Sequence, residues 1–241
     1  MRYAVVSDVH GNLEALDAVL ADAAGRVDAI LCLGDVVGYG ADPGACIERL
    51  AERAQVITAG NHEHGVVGLL QLDWFNPYAR AAVEWTRERL DADHQSYLAA
   101  LPLVAQVEDA TLVHASPAHP EEWEYLVSAE DGFQAFAAFA TRLCFVGHSH
   151  LPGVWSLGST GPEWAPGAMA VDVAPGRRYL VNVGSVGQPR DRDTRAAYAL
   201  WDAARGAIAV RRVPYDVDTA RRKIIAGGLP RYLADRLGWG A

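Results

Sequence analysis

The sequence has few cysteines and no long hydrophobic run. The three cysteines among its 241 residues, Cys32, Cys46 and Cys144, lie at spacings that match no metal motif. We therefore expect buried thiols in a reducing compartment. No apolar run approaches the length that spans a membrane, and the first residues lack the pattern of a signal peptide. These absences predict a cytoplasmic protein with no membrane partner.

Positive charge is also scarce. Lysine occurs once, as Lys223, and 21 Lys and Arg against 30 Asp and Glu give a formal net charge of −9. This balance disfavours a broad basic surface, so we do not expect nucleic acid as a partner. A small phosphorylated substrate is compatible with it, because bound cations reverse the local field. With 51% hydrophobic and 21% charged residues, the chain has the composition of a globular protein with a sizeable core.

The first part of the chain alternates strands and helices. Three short apolar strands, each ending in polar residues flanked by glycine, are predicted at 3–6, 29–33 and 56–58. Helices are predicted after the first two, at 12–24 and 43–53. This alternation favours right-handed crossovers and parallel strands, and functional residues gather at the carboxyl ends of such strands.

The later part of the chain differs from the first. Residues 66–100 are alanine-rich and predict a helical insertion. Beyond residue 150, short strands between turns predict antiparallel pairing, with a loop at 158–167. We therefore predict a single α/β domain over residues 1–241. Its architecture would be a four-layer α/β/β/α sandwich, in which helices flank two mixed β-sheets.

Five polar clusters stand at or near the predicted strand ends. They are Asp8-Val9-His10, Gly34-Asp35, Gly60-Asn61-His62-Glu63, His114 and Gly147-His148-Ser149-His150. In order and residue type they resemble the signature blocks of the calcineurin-like metallophosphoesterase superfamily. The later run from Asn182 to Arg190 further resembles the small prokaryotic phosphodiesterase branch. Any one block would be a weak signal, so their joint occurrence in order carries the resemblance.

This resemblance implies two divalent metal ions. The first ion would be bound by Asp8, His10, Asp35 and His150. The second would be bound by Asp35, Asn61, His114 and His148. Asp35 would therefore bridge the pair, which acts as a clamp in phosphoryl transfer. Mixed imidazole, carboxylate and amide ligands suit manganese, iron, zinc or nickel, and we favour manganese.

The resemblance also implies catalytic roles. A hydroxide bridging the metals would attack phosphorus in line, and His62 would donate a proton to the leaving oxygen. Asn61, His62 and Arg190 would contact the phosphate. The Asp35 block continues with residues 38–40, Gly-Tyr-Gly, where the protein phosphatases have an arginine that grips phosphate. Its loss favours a phosphodiesterase, because a monoanionic diester needs less positive charge than a dianionic monoester.

Two alternatives stay open. A phosphomonoesterase or a protein phosphatase would use the same site. Glu63 matches the Asn-His-Glu sequence with which the corresponding block of the protein phosphatases ends. A non-catalytic scaffold would keep the fold, although every expected ligand is present here. The histidines outside the signature positions are expected to be structural; they are His64, His94 and His119. Formation of a homo-oligomer is left open.

Two segments are expected to shape the leaving-group side of the site, the insertion at 66–100 and the loop at 116–127. Trp74, Trp85 and Tyr97 are expected to be large apolar anchors of the insertion. The tryptophans of the two segments are predicted to pack against the protein rather than to stack on a base, while Trp123 and Tyr125 remain candidates for a wall beside the substrate.

Overall fold

The computed structural model describes all residues, 1–241, and contains two six-stranded mixed sheets. The first sheet has the strand order β3-β2-β1-β11-β12-β9 and the second the order β4-β5-β6-β10-β7-β8. The strands are β1 (Arg2–Val6), β2 (Ala29–Cys32), β3 (Ala54–Ile57), β4 (Val104–Val107), β5 (Ala110–Val113), β6 (Leu143–Val146), β7 (Gly153–Gly158), β8 (Gly161–Pro166), β9 (Ala170–Asp172), β10 (Arg178–Asn182), β11 (Ala196–Asp202) and β12 (Ala207–Val213).

Eight α-helices connect and cover these sheets. They are α1 (Leu13–Ala23), α2 (Pro43–Ala51), α3 (Asn61–Val67), α4 (Pro77–Arg87), α5 (Ala92–Ala99), α6 (Ala129–Ala135), α7 (Val217–Ala226) and α8 (Arg231–Leu237). Two single 3-10 turns lie at Leu72–Trp74 and Pro120–Glu122. No helix has both the length and the apolar character needed to cross a membrane.

The two sheets pack face to face, and β1 shows how. Its side chains alternate, so that Tyr3 and Val5 enter one hydrophobic cluster while Ala4 and Val6 enter another. The first cluster also contains residues of the second sheet, such as Phe145, and therefore lies between the sheets. The other cluster contains residues of α1 and α2. Residues of α6 cover the outer face of the second sheet, so the predicted four-layer sandwich is confirmed.

Strand direction brings several carboxyl ends together. In the first sheet β1, β2 and β3 run parallel. In the second sheet β5, β6 and β10 run parallel. The expectation of antiparallel pairing beyond residue 150 is therefore right for β7, β8, β9, β11 and β12 but incomplete for β10, which is antiparallel to β7 and parallel to β6.

The loop predicted at 158–167 is wrong, because it contains β8. A tight turn at Ser159-Thr160 joins β7 to β8, and the two strands pair along their full length. Trp155 and Trp164 face each other across this hairpin with ring centroids 5.9 Å apart. Cross-strand aromatic pairs stabilise a hairpin whose glycine and proline content otherwise indicates a loop.

Two of the three expected apolar anchors are exposed. Trp85 is half-buried and its indole donates a hydrogen bond of 2.7 Å to the Gly227 carbonyl. Trp74, by contrast, is 77% exposed, and Tyr97 is 37% exposed. Periodicity does not identify which aromatic side chains have a packing partner, so this part of the prediction is wrong. The three cysteines are free and buried, as expected.

Candidate metal centre

The ends of five strands bring the predicted site residues to one place. Asp8 and His10 follow β1, Asp35 follows β2, Asn61 begins α3 after β3, His114 follows β5, and His148 and His150 follow β6. The carboxylates and imidazoles among them are almost fully buried. Their ligand atoms form overlapping groups in which all atoms lie within 4.8 Å of one another.

The first group consists of Asp8, His10 and His150. The Asp8 Oδ1 atom lies 3.2 Å from Nε2 of His150 and 3.7 Å from Nε2 of His10. The two imidazole Nε2 atoms are 3.1 Å apart. These three atoms therefore surround a point where a small cation can be bound.

The second group consists of Asp35, His114 and His148. The Asp35 Oδ2 atom lies 3.3 Å from Nε2 of His114, which is 3.1 Å from Nδ1 of His148. The same Oδ2 atom is 3.6 Å from Nε2 of His10 in the first group. The Asp35 carboxylate therefore lies between the two groups, where a bridging ligand would be.

Backbone carbonyl groups orient three of the histidines. The Nδ1 atom faces the carbonyl oxygen of Val37 at 3.0 Å in His10 and that of Leu33 at 3.0 Å in His114. In His150 the corresponding oxygen, at 2.5 Å, belongs to Gln188. A carbonyl oxygen only accepts, so each Nδ1 carries a proton and each Nε2 faces inward, where its lone pair is available to a cation whenever Nε2 is deprotonated. This is the tautomer that a metal ligand requires.

Two buried oxygen atoms in the site have no hydrogen-bond partner, Oδ1 of Asp8 and Oδ1 of Asn61. Leaving a buried polar atom unpaired is costly, and nearly all such atoms in proteins are satisfied. A pair of bound cations would satisfy both, one at each atom. The donor set of carboxylate, amide and imidazole atoms therefore fits divalent transition metals.

The charges of the site are strongly coupled. Burial disfavours an ionised Asp8, but the neighbouring His150 and His114 hold the pKa of its carboxyl below the usual range. Burial opposes the protonation of His114 too, and the Asp35 carboxylate raises its pKa to about 9 despite that burial. The imidazole of His114 thus carries a second proton at neutral pH in the metal-free protein. Cation binding at this group must displace it.

Five of the proposed ligand residues have left-handed backbone conformations. Their φ angles are 55° at Asp8, 51° at His10, 52° at Asp35, 63° at His148 and 62° at His150. Residues other than glycine rarely adopt this region, and such outliers cluster at functional sites. Sharp turns directly after the strands thus aim these side chains into one small volume.

Glu63 holds two ligand-bearing loops together, a role that the sequence analysis missed. This fully buried carboxylate accepts hydrogen bonds from the backbone N–H groups of Asp35 at 2.7 Å, Gly60 at 2.7 Å and Val37 at 3.2 Å. Burial, with the nearby Asp35, raises its pKa to about 7. An acidic residue three positions after a helix cap is a recognised capping signal, and it could have predicted one of the three bonds.

His62 belongs to a third group of possible ligands, with His10 and Asp35, which shares one residue with each of the two groups described above. Its backbone N–H donates to Oδ1 of Asp35 at 2.9 Å, and its ring packs against Tyr39 with centroids 4.5 Å apart. Burial lowers its pKa to about 4. Gly38 passes so close that a Cβ atom there would lie 2.0 Å from Nδ1 of His62. The ring is therefore tightly confined.

A cleft of about 190 Å³ opens over the centre. Its lining includes residues of both predicted substrate-side segments and of the metal site. The complete lining consists of Asp35, Tyr39, Asn61, His62, Leu70, Trp74, Phe75, Asn76, Ala79, Glu122, Trp123, Tyr125, His148, His150 and Arg190. Arg190 donates to Oε1 of Gln188 at 3.1 Å, and its buried Nε atom has no hydrogen-bond partner. The substrate-binding candidates Asn61, His62 and Arg190 thus all line one cleft.

The three histidines outside the signature blocks lie elsewhere. His64 packs edge-on against Trp123 with centroids 5.1 Å apart. His94 contacts Asp91 at 2.8 Å on α5, and His119 is exposed. None of them belongs to the groups of possible metal ligands.

Comparison with known proteins agrees with this geometry. A model of the calcineurin-like phosphoesterase superfamily domain matches residues 1–206. The chain belongs to this superfamily. Members of the calcineurin-like phosphoesterase superfamily depend on two metal ions, which suits the paired groups around Asp35.

Individual calcineurin-like relatives are of similar length. An uncharacterised protein of Methanocaldococcus jannaschii is 40% identical over 97% of this chain and 96% of its own. The crystal structure of a metallophosphoesterase from Sphaerobacter thermophilus is 43% identical, covers 100% of this chain and 99% of that one, and has a TM-score of 0.87. A Pyrococcus horikoshii protein shares the fold at 20% identity, with a TM-score of 0.79 over 100% of this chain and 98% of that one.

Proposed function

We propose that this protein is a metal-dependent phosphodiesterase that uses two divalent cations, with manganese favoured. The observation that carries the proposal is the position of Asp35 between two groups of inward-facing imidazoles and a carboxylate. When bound, such a pair of cations supplies Lewis-acid activation of water and of the phosphoryl oxygens. The residues proposed to hold the cations are Asp8, His10, Asp35, Asn61, His114, His148 and His150.

His62 is proposed to donate the proton to the leaving oxygen. In the substrate-free protein its pKa of about 4 makes the ring neutral at pH 7. A general acid must carry a proton, so we infer that the anionic phosphate raises this pKa on binding. The Asp35 carboxylate, which already accepts from the His62 backbone, acts in the same direction.

A diester is favoured by the charges that line the cleft. Arg190 is the only lysine or arginine in the lining, and Glu122 contributes an opposing carboxylate. A dianionic monoester would gain more from a second cationic side chain than a monoanionic diester would. We therefore propose that Arg190 and Asn61 contact one diester phosphate, with the non-bridging oxygens facing the metal centre.

Two variants test the assignment of roles. His62→Ala should lower kcat for an alkyl phosphodiester about 10²- to 10⁴-fold, the usual contribution of a general acid, while two metal ions per chain remain bound. Asp35→Asn should lose both activity and metal. Elemental analysis and turnover with manganese measure both quantities, and His119→Ala provides a control at an exposed histidine.

A comparison of two leaving groups distinguishes the loss of a general acid from a structural defect, which would lower turnover equally on both substrates. A p-nitrophenolate leaving group needs little protonation, so His62→Ala should lose much less turnover on bis(p-nitrophenyl) phosphate than on an alkyl diester. Equal losses on the two substrates would contradict the proposed role. Parallel assays with a monoester would reveal a phosphomonoesterase, and less than one metal per chain after manganese loading would favour a scaffold.

A further inference from the structure

Trp74 is the most exposed large hydrophobic side chain of the protein, at 77%. It ends a single 3-10 turn and belongs to none of the hydrophobic clusters. It nevertheless lines the cleft above the metal centre. Its indole therefore contributes little to stability by burial and has its free surface beside the site.

The backbone that carries Trp74 is held on its C-terminal side by Phe75 and Asn76, and on the other side by an exposed ion pair. Asp73 lies 3.4 Å from the Arg80 guanidinium, and Phe75 packs edge-on against His62 with centroids 5.3 Å apart. Asn76 then caps α4 by accepting from the N–H groups of Tyr78 and Ala79 at 3.1 and 3.0 Å. Phe75 thus joins the turn to the site, while the Trp74 ring remains uncovered.

A second exposed aromatic side chain lines the same cleft from the other segment. Tyr125 is 52% exposed and stacks on the imidazole of His148 with centroids 4.1 Å apart and planes at 19°. The stacking holds one face of its ring against the metal centre. Trp123 of the same segment is only 8% exposed, and its ring centroid is 6.0 Å from that of His114. The cleft therefore has aromatic side chains from both segments.

The charged residues of the lining differ in sign. Arg190 comes from the segment after β10 and lines the cleft together with His150 of the first metal group. Glu122 belongs to the same segment as Tyr125 and is exposed. A carboxylate there disfavours a leaving group that carries further phosphates. A neutral, flat leaving group suits these surroundings better.

We propose that the leaving group is a nucleoside, whose base stacks on the exposed faces of Trp74 and Tyr125. This inference rests on the proposed function and names its substrate class, a nucleoside phosphodiester. In the reaction, a bond forms between phosphorus and a water oxygen, and the bond from phosphorus to the nucleoside oxygen breaks. One water proton ends on the nucleoside hydroxyl through His62, so the products are a phosphate monoester and a neutral nucleoside.

Two esters with the same primary leaving oxygen test the role of the base. One is the methyl ester of adenosine 5′-monophosphate, and the other is its counterpart with methoxy in place of adenine. Stacking on aromatic side chains predicts that wild-type protein releases adenosine with a kcat/KM about 5- to 150-fold above that for release of the abasic sugar. Trp74→Ala should remove most of this preference, because kcat/KM should fall far more for the adenosine ester than for the abasic ester.

Matched variants separate stacking from a general loss of structure. Trp74→Phe should restore much of the preference, because it supplies a ring at the same position. Trp239→Ala removes a tryptophan that is 59% exposed but does not line the cleft, so kcat/KM should stay unchanged for both esters. Equal kcat/KM values for both esters in the wild-type protein, or equal losses on both in Trp74→Ala, would overturn the inference.

Equilibrium binding distinguishes this inference from the proposed function. The manganese-loaded protein should bind adenosine 5′-monophosphate about 5- to 150-fold more tightly than ribose 5-phosphate in calorimetry, and Trp74→Ala should abolish the difference. If neither ester is cleaved although this difference is found, the proposed phosphodiesterase activity fails and the aromatic subsite stands. If the esters are cleaved but adenosine 5′-monophosphate and ribose 5-phosphate bind equally, the proposal of an aromatic subsite is wrong and the proposed activity stands.

Discussion

Replacing Gly38 by alanine should displace His62 without removing the metals. A Cβ atom at position 38 would lie 2.0 Å from Nδ1 of His62, whereas ordinary contact begins at about 3.4 Å. The ring must therefore move by more than about 1 Å or the backbone must shift. Misplacing a catalytic group by about 1 Å costs on the order of 10²-fold in rate, so we expect kcat to fall by roughly that factor.

Gly25 supplies the matched control. Both glycines have a left-handed backbone, with φ of 88° at Gly38 and 73° at Gly25, but a Cβ atom at position 25 would meet nothing within 4 Å. Alanine should cost ~1–2 kcal/mol of backbone strain at either site. The two variants should thus show similar backbone strain, while only Gly38→Ala has the added clash.

The assay measures kcat for an alkyl phosphodiester together with bound manganese and urea unfolding. Gly38→Ala should retain two metals per chain, lose about 10²-fold in kcat, and be at least as destabilised as Gly25→Ala. If both variants keep wild-type kcat, the close approach of Gly38 does not position the His62 ring, and the proposed catalytic role loses its structural support. Loss of metal from Gly38→Ala alone would instead place His62 in metal binding.

Two further variants probe stability. Glu63→Ala removes the acceptor of three buried backbone N–H groups, and leaving each of them unpaired costs ~1–3 kcal/mol. The free energy of unfolding of the metal-free protein should therefore fall by ~3 kcal/mol or more in urea titrations. A loss below ~1 kcal/mol would contradict the role of Glu63 in holding the two loops together. Hydrogen bonds from Arg211 hold the pKa of Asp22 below its usual 3.8. The ionised Asp22 carboxylate therefore contributes to the free energy of unfolding above that value, and this contribution is lost as the pH falls through the lowered pKa. The stability difference between wild type and Asp22→Asn should thus shrink on acidification from about pH 6 to about pH 3.

Much of the architecture could be predicted because its signals are local. Apolar runs of three to five residues marked the strands around the site, and the polar residues after them marked the strand ends. Since parallel strands present their carboxyl ends at one edge, Asp8, Asp35 and His148 could be expected to converge. The family resemblance then supplied the pairing of ligands, which periodicity alone does not determine.

The missed features depend on tertiary contacts. β8 exists because Trp164 meets Trp155 across the hairpin, although its own residues favour turns. Trp74 has a hydrophobic side chain but no cluster to enter, and only the folded cleft shows where it lies. Glu63 binds N–H groups 26 and 28 residues away in sequence. None of these partners can be identified from neighbouring residues.

The left-handed residues of the centre carry a consequence for how such proteins diverge. Glycine would relieve ~1–2 kcal/mol at each of the five positions, which are those of Asp8, His10, Asp35, His148 and His150. Backbone conformation alone would thus favour glycine at positions where this site has a carboxylate or an imidazole. A descendant that lost these side chains would be relieved of this strain but would also lose buried hydrogen bonds, such as the one from the His62 backbone N–H to Oδ1 of Asp35. The presence of all five strained residues in this chain accordingly supports the proposal that the site binds metal ions.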